Sequence, residues 1–349
     1  MSEADVRAAF ASQARACAAL GSPFTAWLCE RLGRELTGET TVGARVLGWP
    51  GDPSTAADSV PLRLCGALHA LALAGGDADL AALYERPRTD HAVWGTIARA
   101  LGAHPEPLLA VLALPPQTNE VARSGALWPA LGEVARRTNL PLLLLEVGAS
   151  AGLNLLCDRF ALDLGGKLRG DRTGEVRLAP EWRGAPYRGG EPVVAGRAGC
   201  DLRPYDLSDP AERRRLTAYT WPDQPDRLAR QRAAIALAAP APPAVEATDA
   251  VSWLRARLAE PAPEACRTLY TTIAWQYLSG PDRATGEALV AAAGARAEAD
   301  GPIAFVRMEN DGAEPGAALT LDLWAAGGHE RHDLGRADFH GRWVDWAGI

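Results

Sequence analysis

Leu142-Leu143-Leu144-Leu145-Glu146-Val147-Gly148-Ala149-Ser150-Ala151-Gly152-Leu153-Asn154 is an apolar run that ends in an acid and passes into a turn of small residues. Four consecutive leucines without alternation suit a strand covered on both faces, the situation of a parallel sheet in an α/β fold. Gly148 and Gly152 free the backbone after that strand and let it approach a ligand at the N-terminus of the next helix. The stretch predicts a strand, a nucleotide-binding turn and a helix.

The same alternation repeats downstream. A helix over 153–160 is followed by a strand over 193–200 and a helix over 209–220. Val245-Glu246-Ala247 then precedes a helix over 251–258, and a strand over 268–274 precedes a helix over 283–299. A last strand over 303–308 leads into an alternating run at 319–324, which Gly327-Gly328 turns back into 331–334 as an antiparallel hairpin closing the sheet edge. Strands separated by helices of this length imply right-handed crossovers. The fold class is therefore α/β: a Rossmann-like, doubly wound, mostly parallel sheet with an antiparallel C-terminal hairpin.

Upstream, Val6, Phe10, Ala14 and Cys17, then Phe24, Leu28 and Leu32, recur at helical spacing, and 62–84 and 93–101 continue the pattern. Residues 1–138 read as an all-helical cap or substrate domain and 139–349 as the sheet domain, with a cleft between them above the strand ends. Residues 38–61, rich in Gly, Thr, Asp and Pro, read as a long surface loop, and 238–244 as an Ala/Pro connector.

The 349 residues carry a formal charge of −7 and are 48% apolar, enough chain for one large core or two ordinary ones. A net negative field disfavours nucleic-acid phosphates and anionic lipid as partners. Arg136-Arg137 and Arg213-Arg214-Arg215 lie on helix-like segments and read as solvated faces. Cys17, Cys29, Cys65, Cys157, Cys200 and Cys266 are scattered without a Cys-x-x-Cys pair, as expected of buried free thiols in a reducing compartment, and no metal is expected. No basic region followed by an apolar one opens the chain and no run reaches membrane-span length, so a cytoplasmic protein is expected.

Chemistry-bearing residues follow the predicted strands. Asp201, within Arg197-Ala198-Gly199-Cys200-Asp201-Leu202-Arg203-Pro204, comes just after the second, where an acid can accept hydrogen bonds from ribose hydroxyls. Asp249 and Ala250 come after the third, where the acid can meet an adenine amino group. Trp275, Gln276 and Tyr277 close the fourth with polar and aromatic groups. In this order, over residues 139–337, the set resembles the class I S-adenosylmethionine-dependent methyltransferases. The resemblance implies that Glu146, Gly148, Ser150, Gly152, Asn154, Asp201, Asp249 and Ala250 hold S-adenosylmethionine. It also implies that Trp275, Gln276, Tyr277 and the cap segment Thr118-Asn119-Glu120 face a small-molecule acceptor.

Two departures stand out. Ser150 stands where the acid-x-Gly-x-Gly-x-Gly loop of those methyltransferases has its central glycine, and Asp201 lies 55 residues after Glu146 (201 − 146), where about 20 is usual in related nucleotide folds. Residues 163–191, dense in Gly, Arg and Asp, fill that gap as an insertion expected to form an excursion over the site. The whole chain, including Pro116-Gln117-Thr118-Asn119-Glu120-Val121, Gly199-Cys200-Asp201-Leu202 and Trp221-Pro222-Asp223-Gln224, resembles a bacterial family known as domain of unknown function 2332, which supplies no substrate.

Two other functional classes remain open. Gly148-Ala149-Ser150-Ala151-Gly152 also spells the Gly-x-Ser-x-Gly elbow of serine hydrolases, with Ser150 as nucleophile, Asp249 or Asp322 as orienting acid and His329, His332 or His340 as base. Against that reading, the helical first part offers no loop of oxyanion-hole amides, and Glu146 goes unexplained. A module that keeps the cofactor site without catalysis is the third class. Several residues also have structural roles open to them. Asp249 can cap a helix, Asp201 can brace a turn, and Trp275 or Tyr277 can belong to the core. The run His329-Glu330-Arg331-His332 lacks zinc-helix spacing and suits an exposed hairpin, while Glu309-Asn310-Asp311 suits either a turn or a general base.

Overall fold

In the computed structural model, which describes residues 2–348, every regular element before Leu142 is helical. The helices are α1 (Glu3–Ala19), α2 (Pro23–Glu35), α3 (Thr41–Leu47), α4 (Val60–Leu73), α5 (Ala78–Glu85), α6 (Ala92–Ala103), α7 (Pro105–Leu112), α8 (Ser124–Thr138), α9 (Pro210–Ala218), α10 (Pro225–Ala238), α11 (Ala250–Arg257), α12 (Gly280–Gly294) and α13 (Ala297–Asp300). The strands are β1 (Leu142–Val147), β2 (Ala161–Asp163), β3 (Leu168–Gly170), β4 (Arg177–Leu178), β5 (Glu181–Gly184), β6 (Val194–Asp201), β7 (Val245–Ala247), β8 (Cys266–Thr272), β9 (Ile303–Glu309), β10 (Ala317–Ala325), β11 (Gly328–Ala337) and β12 (Trp343–Trp346). Two compact units result, Met1–Thr118 with Asp209–Arg232, and Asn119–Ser208 with Ala233–Ile349. The division thus falls at Thr118 rather than at residue 138, because α8 packs on β8, β9 and β10.

The first unit is helical because its apolar residues recur every three or four positions. Val6 and Phe10 of α1 and Leu28 and Leu32 of α2 are buried in one core with Leu64 and Leu68 of α4 and Ile97 of α6. A capping box between Ser2 and Asp5 starts α1. The Trp221-Pro222-Asp223-Gln224 motif is structural here. Asp223 accepts from Ser22 Oγ and from Phe24 N (2.8 Å), supplying an acceptor at the start of α2, while Gln224 Nε2 donates to Leu20 O at 3.0 Å. The long loop expected over 38–61 is interrupted by α3, a correction. Thr40 Oγ1 accepts from Gly43 N (3.0 Å), and Val42 and Val46, one helical turn apart, are buried. So short an amphipathic pair is masked by the Gly/Thr composition around it.

The second unit is built on a nine-stranded sheet of order β5-β12-β11-β10-β9-β8-β1-β6-β7. The β7-β6-β1-β8-β9 part is parallel throughout, and β10 and β11 follow as an antiparallel hairpin. One face packs on α11 and α12, burying Leu145, Val147, Leu254, Leu269, Val290 and Phe305 together, and the other packs on α8. Covering on both faces explains why β1 reads as an uninterrupted apolar run.

Three expectations about this unit are corrected. The hairpin does not close the sheet edge, since β12 and then β5 continue beyond it. Nor is the insertion simply an excursion over the site. It forms a small sheet of order β3-β2-β4, and its last strand, β5, pairs with β12 at the edge opposite β7, where Trp182, Tyr187 and Trp346 pack ring against ring. The helix expected after β1 is a 3-10 stretch, Leu153–Arg159, broken at Leu156. Six cysteines, free and buried, are spread over both units, and among the described residues no helix is long and apolar enough to cross a membrane.

Candidate functional site

Strand β1 lies between β6 and β8, with Val147 opposite Cys200 and Glu146 opposite Tyr270. Along the sheet, chain order runs from β1 to β6 and β7 on one side and to β8 and β9 on the other. At such a reversal the loops leaving neighbouring strands diverge and open a crevice beyond the carboxyl ends. Gly148 N and Ala149 N both donate to Cys200 O, at 2.9 and 3.0 Å, and turn the chain off the strand. The turn then alternates into left-handed backbone at Gly148 (φ +72°), Ser150 (+56°) and Gly152 (+71°). A Cβ on Gly148 would lie 2.4 Å from Ala274 Cβ, so the loop after β1 and the turn after β8 touch, and only glycine fits.

Asp201 ends β6 and fastens this loop. Its Oδ2 accepts from Ser150 N and its Oδ1 from Arg203 N, both at 2.9 Å. Thr248 N donates to Asp201 O (3.0 Å), bringing the end of β7 alongside. The loop, Asp201 and the segment before α11 are therefore neighbours at one sheet edge. Asp249 is exposed, and its carboxylate accepts from Ser252 N (2.8 Å) as the N-cap of α11. That bond and a second from the Ser252 hydroxyl hold its carboxyl below the usual range. Asp249→Ala is expected to cost about 1 kcal/mol in urea unfolding, the ordinary value of an N-cap; a neutral substitution would contradict the capping role.

Glu146 is buried under this loop. It takes a hydrogen bond from Tyr270 OH at 3.2 Å, and burial pushes its carboxyl up to about 8, against the opposing pull of Tyr270 and Arg123 and with a further push from Asp201. Arg123 donates through Nη1 to Thr272 O and through Nε to Phe339 O, both at 2.9 Å, tying the start of α8 to the end of β8. Immediately after β8, Ile273 has φ +52°, a conformation that β-branched residues rarely adopt. Glu309, at the end of β9, holds the turn that follows. Its Oε1 accepts from Ala274 N (2.9 Å), Trp275 N (3.0 Å) and Thr271 Oγ1 (2.9 Å), and its Oε2 from Gln276 N (3.4 Å).

The residues expected to face an acceptor separate by role. Trp275 is core, edge-on to Phe305 with its ring over Gly286. Tyr277 is 74% exposed at the sheet edge, and Gln276 Oε1 is buried without a hydrogen-bond partner. Asn119 and Asn154 brace the loop instead of facing outward. Asn119 Oδ1 accepts from Leu153 N (2.9 Å), and Asn154 takes Ser124 Oγ on its Oδ1 (2.7 Å) while its Nδ2 donates to Glu120 O (3.4 Å). Glu120 Oε1 accepts from Ala122 N (3.2 Å), and Thr118 closes the first unit.

Ser150 Oγ is buried and makes no hydrogen bond. Asp322 and His329 engage each other on β10 and β11 at 2.9 Å. They stand three and four strands from β1, a separation of about 14 Å or more at ordinary strand spacing. His332 bonds Glu330 (3.0 Å) on the hairpin.

The family described as "Uncharacterized protein conserved in bacteria (DUF2332)" matches residues 7–346. The chain belongs to that family. No curated protein and no solved structure matches it. In this DUF2332 chain the match spans both units and so takes in the helical unit as well as the sheet edge. Arg123, Tyr270 and the clamp made by Glu309 were missed as site residues in the sequence. Arg123 and Tyr270 sit in apolar or helical surroundings that give no local signal, and only strand pairing brings Tyr270 beside Glu146. In the sequence Glu309 suits a turn or a base, and in the structure it holds the β8 turn.

Proposed function

We propose that this DUF2332 protein is a cytoplasmic S-adenosylmethionine-dependent methyltransferase acting on a small-molecule acceptor, with a Rossmann-like cofactor site at the ends of β1, β6 and β8. The observation that carries the reading is the left-handed turn Gly148–Gly152 at the point where strand order reverses around β1, backed by the Asp201 carboxylate. The residues present suit such a ligand. A buried hydroxyl on the loop lacks a partner and an acid closes the adjacent strand, while Gly148 and Gly152 give the loop its left-handed backbone and let it pack closely on Ala274, Val245 and Pro243.

In this reading Gly148, Ser150 and Gly152 line the loop, Asp201 meets ribose hydroxyls, and Asp249 with Ala250 borders the adenine. Gln276 and Tyr277 flank the acceptor on the turn held by Glu309. Asn119 and Asn154 keep the loop in shape from behind. When bound, the cofactor supplies a methyl group already activated on a sulfonium. The protein's part is then to orient the acceptor lone pair on the line of displacement and to exclude water, and no residue need be an obligatory base. A serine hydrolase would instead require a base within reach of Ser150 Oγ, which makes no hydrogen bond.

Thermal denaturation with millimolar S-adenosylmethionine or S-adenosylhomocysteine tests the proposal. Ligand at a hundred times Kd should stabilise the fold by about 2.7 kcal/mol. No shift at millimolar ligand rejects the reading, and covalent labelling of Ser150 by a fluorophosphonate would favour the hydrolase. Asp201→Ala should weaken adenosyl binding by about 1–3 kcal/mol, as expected for losing a charged hydrogen-bond acceptor. Unchanged affinity in calorimetry removes Asp201 from the site.

A further inference from the structure

Ser150 carries two penalties that the fold does not relieve. Its φ of +56° lies in the left-handed region, disfavoured for any residue with a Cβ, and its Oγ is buried with no hydrogen-bond partner. Its main-chain groups are satisfied, the N–H by Asp201 Oδ2 (2.9 Å) and the C=O by Tyr205 N (3.2 Å). Glycine would remove both penalties and keep both bonds, and glycine stands in the same conformation on either side, at 148 and 152. Packing and local geometry therefore favour glycine here, and the chain has serine. On the touching turn, across the Gly148–Ala274 contact, Gln276 Oε1 is a second buried oxygen without a partner. Buried polar atoms left unpaired are uncommon; these adjoining turns carry three, Ser150 Oγ, Gln276 Oε1 and Trp275 Nε1. The Trp275 ring is packed against Phe305 and Gly286, and the two oxygens suit a ligand that pairs with them.

Building on the function proposed above, we infer that the Ser150 hydroxyl is a ligand-recognising group, making a hydrogen bond to the bound adenosyl ligand that a glycine loop cannot make. The left-handed turn presents it there, with its amide held by Asp201, and the protein gives up some stability in exchange.

Ser150→Gly and Ser150→Ala, compared with wild type, test this through melting temperature and titration with S-adenosylhomocysteine. Ser150→Gly is expected to melt about 2 °C or more above wild type because both penalties disappear. Both variants should bind S-adenosylhomocysteine about threefold to tenfold more weakly, the usual worth of one hydrogen bond. Equal affinity in wild type and variants overturns the inference and leaves the adenosyl site intact. A Ser150→Gly protein that melts below wild type overturns it too, since serine would then be serving the fold. A wild type that binds neither S-adenosylmethionine nor S-adenosylhomocysteine overturns the site reading itself, and the inference falls with it.

Discussion

Glu309→Ala is expected to lower the unfolding free energy by about 3 kcal/mol and Glu309→Gln by clearly less. The carboxylate is the acceptor for three consecutive main-chain N–H groups, at 274, 275 and 276, and for the Thr271 hydroxyl. Removing a shared acceptor leaves those donors unpaired at roughly 1–3 kcal/mol for each one kept from water. Solvent reaching the half-buried turn recovers part of that sum. The turn follows Ile273, whose positive φ persists only while its surroundings impose it. Losing the clamp should let Ile273 relax and Tyr277 move, so weaker ligand binding is expected together with the lost stability. Glutamine keeps one carbonyl oxygen in the position of Oε1, which serves most of the bonds. Urea unfolding of the two variants decides the matter, and an alanine variant within 0.5 kcal/mol of wild type, roughly the range of an uninvolved surface site, would show that the turn holds itself.

The second large effect is a pH dependence centred on Glu146. Burial raises its carboxyl from an ordinary 4.5 to about 8, so the folded protein keeps a proton that the unfolded chain releases. Below the unfolded value both states are protonated and the contribution is fully present. As pH rises through that window the unfolded state ionises first, and stability falls by on the order of 1 kcal/mol for each pH unit until the folded carboxyl also ionises. Glu146→Gln removes this ionisation and still offers a carbonyl to Tyr270 OH. Urea midpoints between pH 6 and 8.5 should therefore fall more steeply for wild type than for the variant. Parallel profiles would place the Glu146 carboxyl near its ordinary range in the folded protein.

Much of this architecture is legible along the chain. The leucine run reads as a doubly covered strand because such a strand needs no polar face, and the helical spacing before residue 118 reads as helices because each buries one stripe. What escaped were elements whose signal is short or distant. Helix α3 rests on two valines a turn apart, and the kinked 3-10 stretch after Gly152 looks like an ordinary amphipathic helix in sequence. The insertion looked like a cover for the site because composition gives no partner. Its strand β5 finds one in Trp343–Trp346, more than 150 residues later.

The same division runs through the candidate site. Gly148, Ser150, Gly152 and Asp201 are visible locally, because a turn off a buried strand needs glycine and an acid after a strand is conspicuous. Trp275 and Tyr277 look equivalent two residues apart, and only the packing of α12 and β9 sends one into the core and leaves the other exposed. The amino-acid order by itself determined that a parallel α/β sheet would carry a glycine turn at its β1 end, because hydrophobic period and backbone freedom are local properties. Tertiary structure alone decided that Glu146 meets Tyr270, that Glu309 clamps the neighbouring turn and that the Ser150 hydroxyl is left unpaired. Each of those depends on which strands lie side by side and on what burial does to a polar group there.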